Sequence, residues 1–331
     1  MVGFAVLGCG RIGRMHALNV ARHPRATLVT CYDKFPETAR AAAAETGAVA
    51  ADSIEAALAH PEVQAVLIAT PTDTHVDLIV AAVRAGKAVL CEKPIDLDMA
   101  RVDRCWNAIR DRDPLVMIGF NRRFDRSFKA VRDRVAAGEI GAVEQVVITS
   151  RDPAPPPVSY IKTSGGLFLD MTIHDFDMAR YLAGDIVAVF AAGANLIEPG
   201  IAEAGDVDAA MVVLRAASGA LVHINNSRRC AYGYDQRIEV FGADGMLQAH
   251  NQHATTVEGW TRERTRSRDR VEDFFIERYT QAYNAEIDHF VDCIEARRTP
   301  LASFAEGREA LRLAEAALQS LRTGAVVRVA R

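Results

Sequence analysis

The chain opens on Val2-Gly3-Phe4-Ala5-Val6-Leu7, a short apolar run that ends in glycines, and then alternates buried strand patterns with amphipathic ones. Helical spacing begins at Arg14-Met15-His16-Ala17-Leu18. Thr27 to Tyr32 reads as a second strand, Thr38 to Thr46 and Ile54 to Ala59 as helices, and Ala65 to Ala69 as a strand turned by Thr70-Pro71. A helix from Thr72-Asp73-Thr74-His75 to Ala85, a strand from Lys87 to Cys91, a helix from Met99 to Arg110 and a strand from Leu115 to Phe120 continue the series. Such alternation predicts a parallel sheet with helices on both faces.

Past residue 121 the pattern changes. A basic helix from about Ser127 to Ala137 ends at Gly138, and strands follow at Val143 to Thr149, Ile186 to Phe190, Ala209 to Leu214, Ala220 to Asn225 and Arg237 to Gly242. Helices do not separate every pair, which predicts a mainly antiparallel sheet with helices on one face. The expected fold class is α/β: an N-terminal Rossmann domain with a parallel sheet over 1–121, then a C-terminal α+β domain with an open sheet over 122–331. At 331 residues the chain exceeds the size at which one core usually stops growing. Pro153-Ala154-Pro155-Pro156-Pro157 reads as a stiff loop, and no internal repeat is evident.

Composition narrows the partners. With 43 acidic residues against 39 Lys and Arg, a formal charge of −4 gives no net attraction for nucleic acid or anionic membrane. The cysteines Cys9, Cys31, Cys91, Cys105, Cys230 and Cys293 are scattered without a C-x-x-C pair, which fits reduced thiols in the cytoplasm. Neither a signal-peptide pattern at Met1 nor a run of apolar residues long enough to span a bilayer is present, so a soluble intracellular protein is expected.

Between the first strand and the first helix lies Gly8-Cys9-Gly10-Arg11-Ile12-Gly13. In G-x-G-x-x-G placed this way, Gly8 makes the tight turn, Gly10 lets backbone approach a pyrophosphate, and Gly13 lets helix pack on strand. The pyrophosphate would meet the helix N-terminus beside Arg11 and Ile12. The second strand ends in Asp33, twenty residues after Gly13, where a carboxylate can accept the adenosine ribose hydroxyls. The 2′-phosphate of NADP would meet like charge there unless Lys34 compensated, so NAD is the expected cofactor. A glycine-rich turn that binds no dinucleotide is the ordinary alternative.

Thr70, Pro71 and Thr72 follow a strand at the sheet's carboxyl edge and are expected to wall the cofactor. The next strand ends in Glu92-Lys93-Pro94, where Glu92 and Lys93 would border it and Lys93 could bring an ammonium to cofactor and substrate. Pro94 restricts the geometry of Lys93, although a solvated surface lysine is the usual finding. His75, near a helix start, is expected to cap or pack.

The densest polar cluster runs from Lys162 to Asp177 and contains Asp170 and His174, four apart. On a helix they share a face, so the carboxylate could orient the imidazole or stabilise its protonated form. Such a histidine can take a proton from an alcohol as hydride leaves the same carbon. Gly165 and Gly166, just before this helix, would let a ligand approach its exposed N–H groups. A helix-capping aspartate with a partly buried histidine is the plainer reading. No third ligand at metal-binding spacing accompanies the pair, and His250-Asn251-Gln252-His253 reads as a polar surface loop.

These motifs together resemble the oxidoreductase family named after glucose-fructose oxidoreductase and inositol dehydrogenase (Gfo/Idh/MocA), over essentially the whole chain. The glycine loop and Glu92-Lys93-Pro94 are general to that family. Gly119-Phe120-Asn121-Arg122-Arg123-Phe124-Asp125, Met171-Thr172-Ile173-His174-Asp175-Phe176-Asp177-Met178-Ala179-Arg180 and Asn225-Asn226-Ser227-Arg228-Arg229 are closer to its inositol branch. The resemblance implies an NAD-dependent polyol dehydrogenase that oxidises C2 of myo-inositol to 2-keto-myo-inositol. Another inositol isomer or a cyclic sugar such as glucose is the alternative substrate, and a nucleotide-binding regulator the alternative class. It also implies Lys93, Asp170 and His174 as catalytic and substrate-binding residues, with Arg123 and Tyr234 as polyol-binding residues, for which adjacent Arg122 and Tyr232 are alternatives. Leu169 stands where inositol dehydrogenases often have arginine. A homotetramer formed through the open faces of the second-domain sheets is the implied assembly.

Overall fold

The computed structural model describes residues 1–329, which divide into two compact units. The first comprises Met1–Phe124 with Ala282–Leu311, the second Asp125–Gln281 with the described residues from Arg312 onward.

In the first unit the apolar runs become strands β1 (Val2–Leu7), β2 (Ala26–Tyr32), β3 (Val49–Ala50), β4 (Ala65–Ile68), β5 (Ala88–Cys91) and β6 (Val116–Ile118). The intervening helices are α1 (Arg11–Arg22), α2 (Pro36–Thr46), α3 (Ile54–Ala59), α4 (His75–Arg84) and α5 (Met99–Ile109). All strand pairs are parallel, in the order β3-β2-β1-β4-β5-β6. The order reverses at β1, which sends α1 and the helices after β4 to opposite faces and opens the carboxyl edge at β1 and β4. Strands β1 and β4 are buried along their whole length, as a sheet covered on both faces requires.

The second unit opens with α6 (Arg126–Ala136) and β7 (Val143–Arg151), followed by α7 (Val158–Ser164), α8 (Gly166–Asp170) and α9 (Thr172–Ala183). Then come β8 (Ile186–Ala194), α10 (Pro199–Glu203), β9 (Ala209–Ala216), β10 (Leu221–Ser227), β11 (Asp235–Gly242), β12 (Gly245–Ala249) and a small ribbon of β13 (Glu258–Gly259) and β14 (Ser267–Arg268). Helices α11 (Phe275–Ala296) and α12 (Phe304–Thr323) and strand β15 (Val327–Arg328) close the chain. The large sheet runs β12-β11-β7-β10-β9-β8-β15 and is antiparallel except where β10 pairs parallel with β7. Along β9, Ala210, Val212 and Leu214 are buried while Met211 and Val213 are exposed, the period of two expected of a sheet covered on one face.

One boundary differs from the sequence reading, which assigned everything after residue 121 to the second domain. The segment Ala282–Leu311 belongs with the first unit. Its helices carry apolar faces that bury there: Phe290 meets Phe4 of β1 edge-on at 6.1 Å, and Phe304 stacks on Trp106 of α5 at 5.2 Å.

Candidate active site

Each glycine of the first loop has a separate physical reason. Gly8 has φ +88°, and a Cβ on it would lie 2.6 Å from the Ala69 carbonyl oxygen. A Cβ on Gly13 would lie 1.8 Å from the Gly8 carbonyl oxygen, so only glycine lets α1 pack this closely. Gly10 has nothing within 4 Å of such an atom, which is the open approach a phosphate needs. It also caps α1 without a side chain, so the helix's positive end faces outward between exposed Arg11 and half-buried Ile12.

Asp33 follows β2 and accepts from the Cys9 backbone N–H at 2.7 Å (Oδ2) and from Phe35 N–H at 2.9 Å (Oδ1). Each oxygen keeps capacity to accept from a ribose hydroxyl. Lys34 beside it is exposed. Past β4, Thr70 Oγ1 and Thr74 Oγ1 lie 2.6 Å apart and Thr74 donates to the Pro71 carbonyl at 2.7 Å, which closes the turn holding Thr72. These groups fit a dinucleotide lying across the carboxyl edge.

Lys93 stands just beyond β5, half-buried. Its neighbour Glu92 meets His16 Nε2 through Oε1 at 2.7 Å. His75 is buried, with Nδ1 2.8 Å from the Pro94 carbonyl and Nε2 2.9 Å from the Thr70 carbonyl, and burial lowers its pKa. The neutral ring sits between two loop carbonyls and donates to one of them, a more specific arrangement than capping or packing. Arg123, read from the sequence as polyol-binding, has its guanidinium on the Leu301 carbonyl and on Glu306 Oε2, each at 2.7 Å, and is 3% exposed.

In the second unit the Lys162 to Asp177 cluster forms three short helices. Asp170 ends α8 and His174 lies in the first turn of α9, with Met171 between them, so the pair spans a break in the expected single helix. The Tyr160 hydroxyl donates to Asp170 Oδ1 at 3.0 Å, and Arg228 Nη1 lies 3.7 Å from Oδ2. Arg228 is 1% exposed and also neighbours Asp152 at 3.9 Å and Asp206 at 4.0 Å. A cation set among three carboxylates offsets their mutual repulsion.

The residues on either side of His174 are fastened. Thr172 donates to Asn226 Oδ1 at 2.8 Å, Asn226 donates to Asp175 Oδ2 at 2.7 Å, and Ser150 donates to Asp175 Oδ1 at 2.6 Å. All four are buried, and they pin the start of α9 to β7 and β10. The expected ligand approach at the glycines before this helix is corrected. Asp206 already accepts the Leu167 N–H, at 2.9 and 3.1 Å, and a Cβ on Gly166 would meet it at 2.6 Å.

Tyr234 is buried and packs edge-on against Tyr279 at 6.1 Å, whereas Tyr232 is exposed, with its hydroxyl on Asp235 at 2.6 Å and Arg151 at 2.9 Å. Leu169 is buried. In the 250–253 loop, Asn251 braces the start of β11 by accepting from Gln236 N–H and donating to Asp235, each at 2.6 Å. Among the described residues no three His, Cys, Asp or Glu converge as a metal site, all six cysteines are unbridged, and no helix is long and apolar enough to cross a membrane.

His16, Tyr160 and Arg228 were not among the expected site residues. The spacing of His16 after Gly13 put it on the same inward helix face, a usable signal. Nothing local marks Tyr160 or Arg228 as neighbours of Asp170.

Comparison with known proteins decides the kinship. Residues 2–120 match the model of the oxidoreductase family described as NAD-binding Rossmann fold, and residues 128–248 match the Gfo/Idh/MocA C-terminal domain. The chain belongs to the Gfo/Idh/MocA oxidoreductase family. It is 50% identical over 328 residues to an inositol 2-dehydrogenase of Rhizobium meliloti, covering 97% of both chains. A myo-inositol dehydrogenase structure from Corynebacterium glutamicum superposes with TM-score 0.97 at 48% identity, over 100% of this chain and 99% of that one. Scyllo-inositol dehydrogenase from Lactobacillus casei, solved with NAD(H) and scyllo-inositol, gives TM-score 0.91 at 29% identity over 99% of each chain. The cofactor of this Rossmann unit is NAD, and the glycine loop and Asp33 have the geometry to hold it.

Proposed function

We propose that this chain is a myo-inositol 2-dehydrogenase, converting myo-inositol to 2-keto-myo-inositol (scyllo-inosose). The observation that carries the reading is Asp170, held by Tyr160 and Arg228 and followed by His174 on a pinned helix start, in a chain half identical to an inositol 2-dehydrogenase. The glycine loop and Asp33 would hold NAD, which would supply the hydride acceptor for C2 of the ring. His174 takes the C2 hydroxyl proton, and Asp170 stabilises the imidazolium that results. Lys93 stabilises negative character on that oxygen.

Further hydroxyls are read by hydrogen bonds, so a substrate lacking them leaves polar groups unpaired. Arg123, whose terminal nitrogens meet Leu301 and Glu306, and the equally buried Arg122 are both retained as candidates for this task. Tyr232 and Tyr234 are both retained as candidates.

The second unit supports a homotetramer. Phe190, Met211, Val213, Leu221, Phe241 and Met246 are exposed on the outward face of its sheet, and a patch of this kind calls for a cover. Six buried, unbridged cysteines fit a cytoplasmic setting.

A panel of myo-inositol, other inositol isomers and glucose, assayed with NAD and NADP, tests the reading. The highest kcat/KM is expected for myo-inositol with NAD. A cyclic sugar preferred over every inositol would overturn it.

A further inference from the structure

The two residues that flank Lys93 in sequence, Glu92 and Pro94, each meet a buried imidazole. His16, on the first turns of α1, places Nε2 2.7 Å from Glu92 Oε1. A carboxylate only accepts, so Nε2 carries the hydrogen. The ring's plane is set by Tyr283, which meets it edge-on at 5.4 Å and 90°. Glu92 Oε2 in turn accepts the backbone N–H of Lys93 at 3.3 Å, and fits because Gly119 lacks a Cβ, which would lie 3.0 Å from that oxygen. On the other side, His75 lies between two acceptors, with Nδ1 2.8 Å from the Pro94 carbonyl and Nε2 2.9 Å from the Thr70 carbonyl, and as a neutral ring it donates its one hydrogen to one of them. Each histidine is 1% exposed.

Both imidazoles start from the dinucleotide side. His16 belongs to the helix whose N-terminus receives the pyrophosphate, and His75 reaches back to the turn after β4. We propose that His16 and His75 are positioning residues for the reaction: they fasten Glu92 and Pro94 to the two dinucleotide-binding turns and so fix where Lys93 presents its ammonium. The proposal rests on the reading that Lys93 acts on the substrate oxygen. A leucine at either position would fill much of the volume but remove the hydrogen-bond donor on that flank of the lysine. A flexible four-carbon side chain gains most from an anchored backbone, because its orientation in the reacting complex starts from a fixed point.

The test compares His16→Leu with His16→Gln, whose amide can donate from the Nε2 position, and adds His75→Leu. His16→Leu and His75→Leu are each expected to lower kcat about tenfold or more while NADH affinity, read by fluorescence titration, stays within about threefold. His16→Gln should return to within about threefold of wild-type kcat. The double leucine variant should be less impaired than the product of the single effects, since both act on one segment. Unchanged kcat in the leucine variants would overturn the proposal, as would parallel loss of NADH affinity without rescue by Gln. Proton–nitrogen correlation spectra of the wild-type chain give a readout independent of turnover and of variant folding. His16 should carry its proton on Nε2, and a neutral Nδ1–H tautomer would overturn the proposal even if the polyol assay succeeded. If no polyol is oxidised by the wild-type chain, the functional reading fails while the tautomer still decides the His16–Glu92 contact.

Discussion

The Cys9 backbone N–H donates to Asp33 Oδ2 over 2.7 Å, so the acid at the end of β2 is tied to the glycine loop. In the proposed cofactor site, the acid that would select NAD thus also braces the glycine turn. NAD should support turnover at least about ten times better than NADP in kcat/KM, because the carboxylate repels a 2′-phosphate. Asp33→Ser should narrow that gap and also raise the KM for NAD, since the Cys9 amide loses its charged acceptor. Equal efficiencies in the wild-type chain would show that Lys34 outweighs Asp33.

Asp170 is held by Tyr160, ten residues before it, and by Arg228, far along the chain. Tyr160→Phe removes one hydrogen bond and is expected to lower kcat by about three- to tenfold with little change in stability. Arg228→Leu leaves Asp152, Asp170 and Asp206 without their shared buried cation, so it should cost about 3 kcal/mol of stability as well as activity. Denaturant titration alongside kinetics separates the two. A fully active, fully stable Arg228→Leu chain would show that the cation is dispensable.

How far the sequence was readable follows from the range of each constraint. The glycine loop, β1 and the end of β2 at Asp33 were legible because a turn with φ +88° and an apolar run are set by neighbours a few residues away. Strand β3, two residues long, is below the length at which a period shows. Helices α11 and α12 received no assignment, although Tyr279, Ala282, Tyr283, Glu286, Ile287 and Phe290 recur at helical spacing and are all buried. Parallel pairing of β10 with β7 leaves no local trace, and neither does the approach of Arg228 to Asp170. The break at Met171 was hidden because Asp170 and His174 satisfy a helical spacing whether or not the helix is continuous.

The outward face of the large sheet gives an assembly prediction. Cross-strand neighbours Phe190 and Val213, and Phe241 and Met246, are exposed side by side. Light scattering at micromolar concentration should give about four times 36.0 kDa. A mass near that of one chain would refute it. Charged substitutions at Met211 and Val213 should shift the mass downward.

Glu286 supplies a pH-dependent test of stability. It is fully buried in α11, and burial, with a smaller contribution from the charge of Glu92, raises its pKa well above the usual carboxyl value. The folded chain therefore keeps a proton that the unfolded chain releases above its value of 4.5, so this group's contribution makes stability fall as pH rises beyond that point. Glu286→Gln abolishes the difference. Its Tm relative to wild type should improve between about pH 6 and about pH 8.5, and a gap independent of pH would contradict the assignment of a neutral Glu286.

The most direct test of the account is the pH profile of His174→Ala beside wild type, with myo-inositol as substrate and NADH binding as the control. In the wild-type chain kcat/KM should rise from acid toward neutral pH as the proton acceptor of the free enzyme loses its own proton. The variant should show kcat lowered on the order of a hundredfold or more, nearly unchanged NADH affinity, and no such limb. A folded, NADH-binding His174→Ala chain that keeps near-normal kcat and the wild-type acid limb would contradict the account, because the proton would then leave by another group.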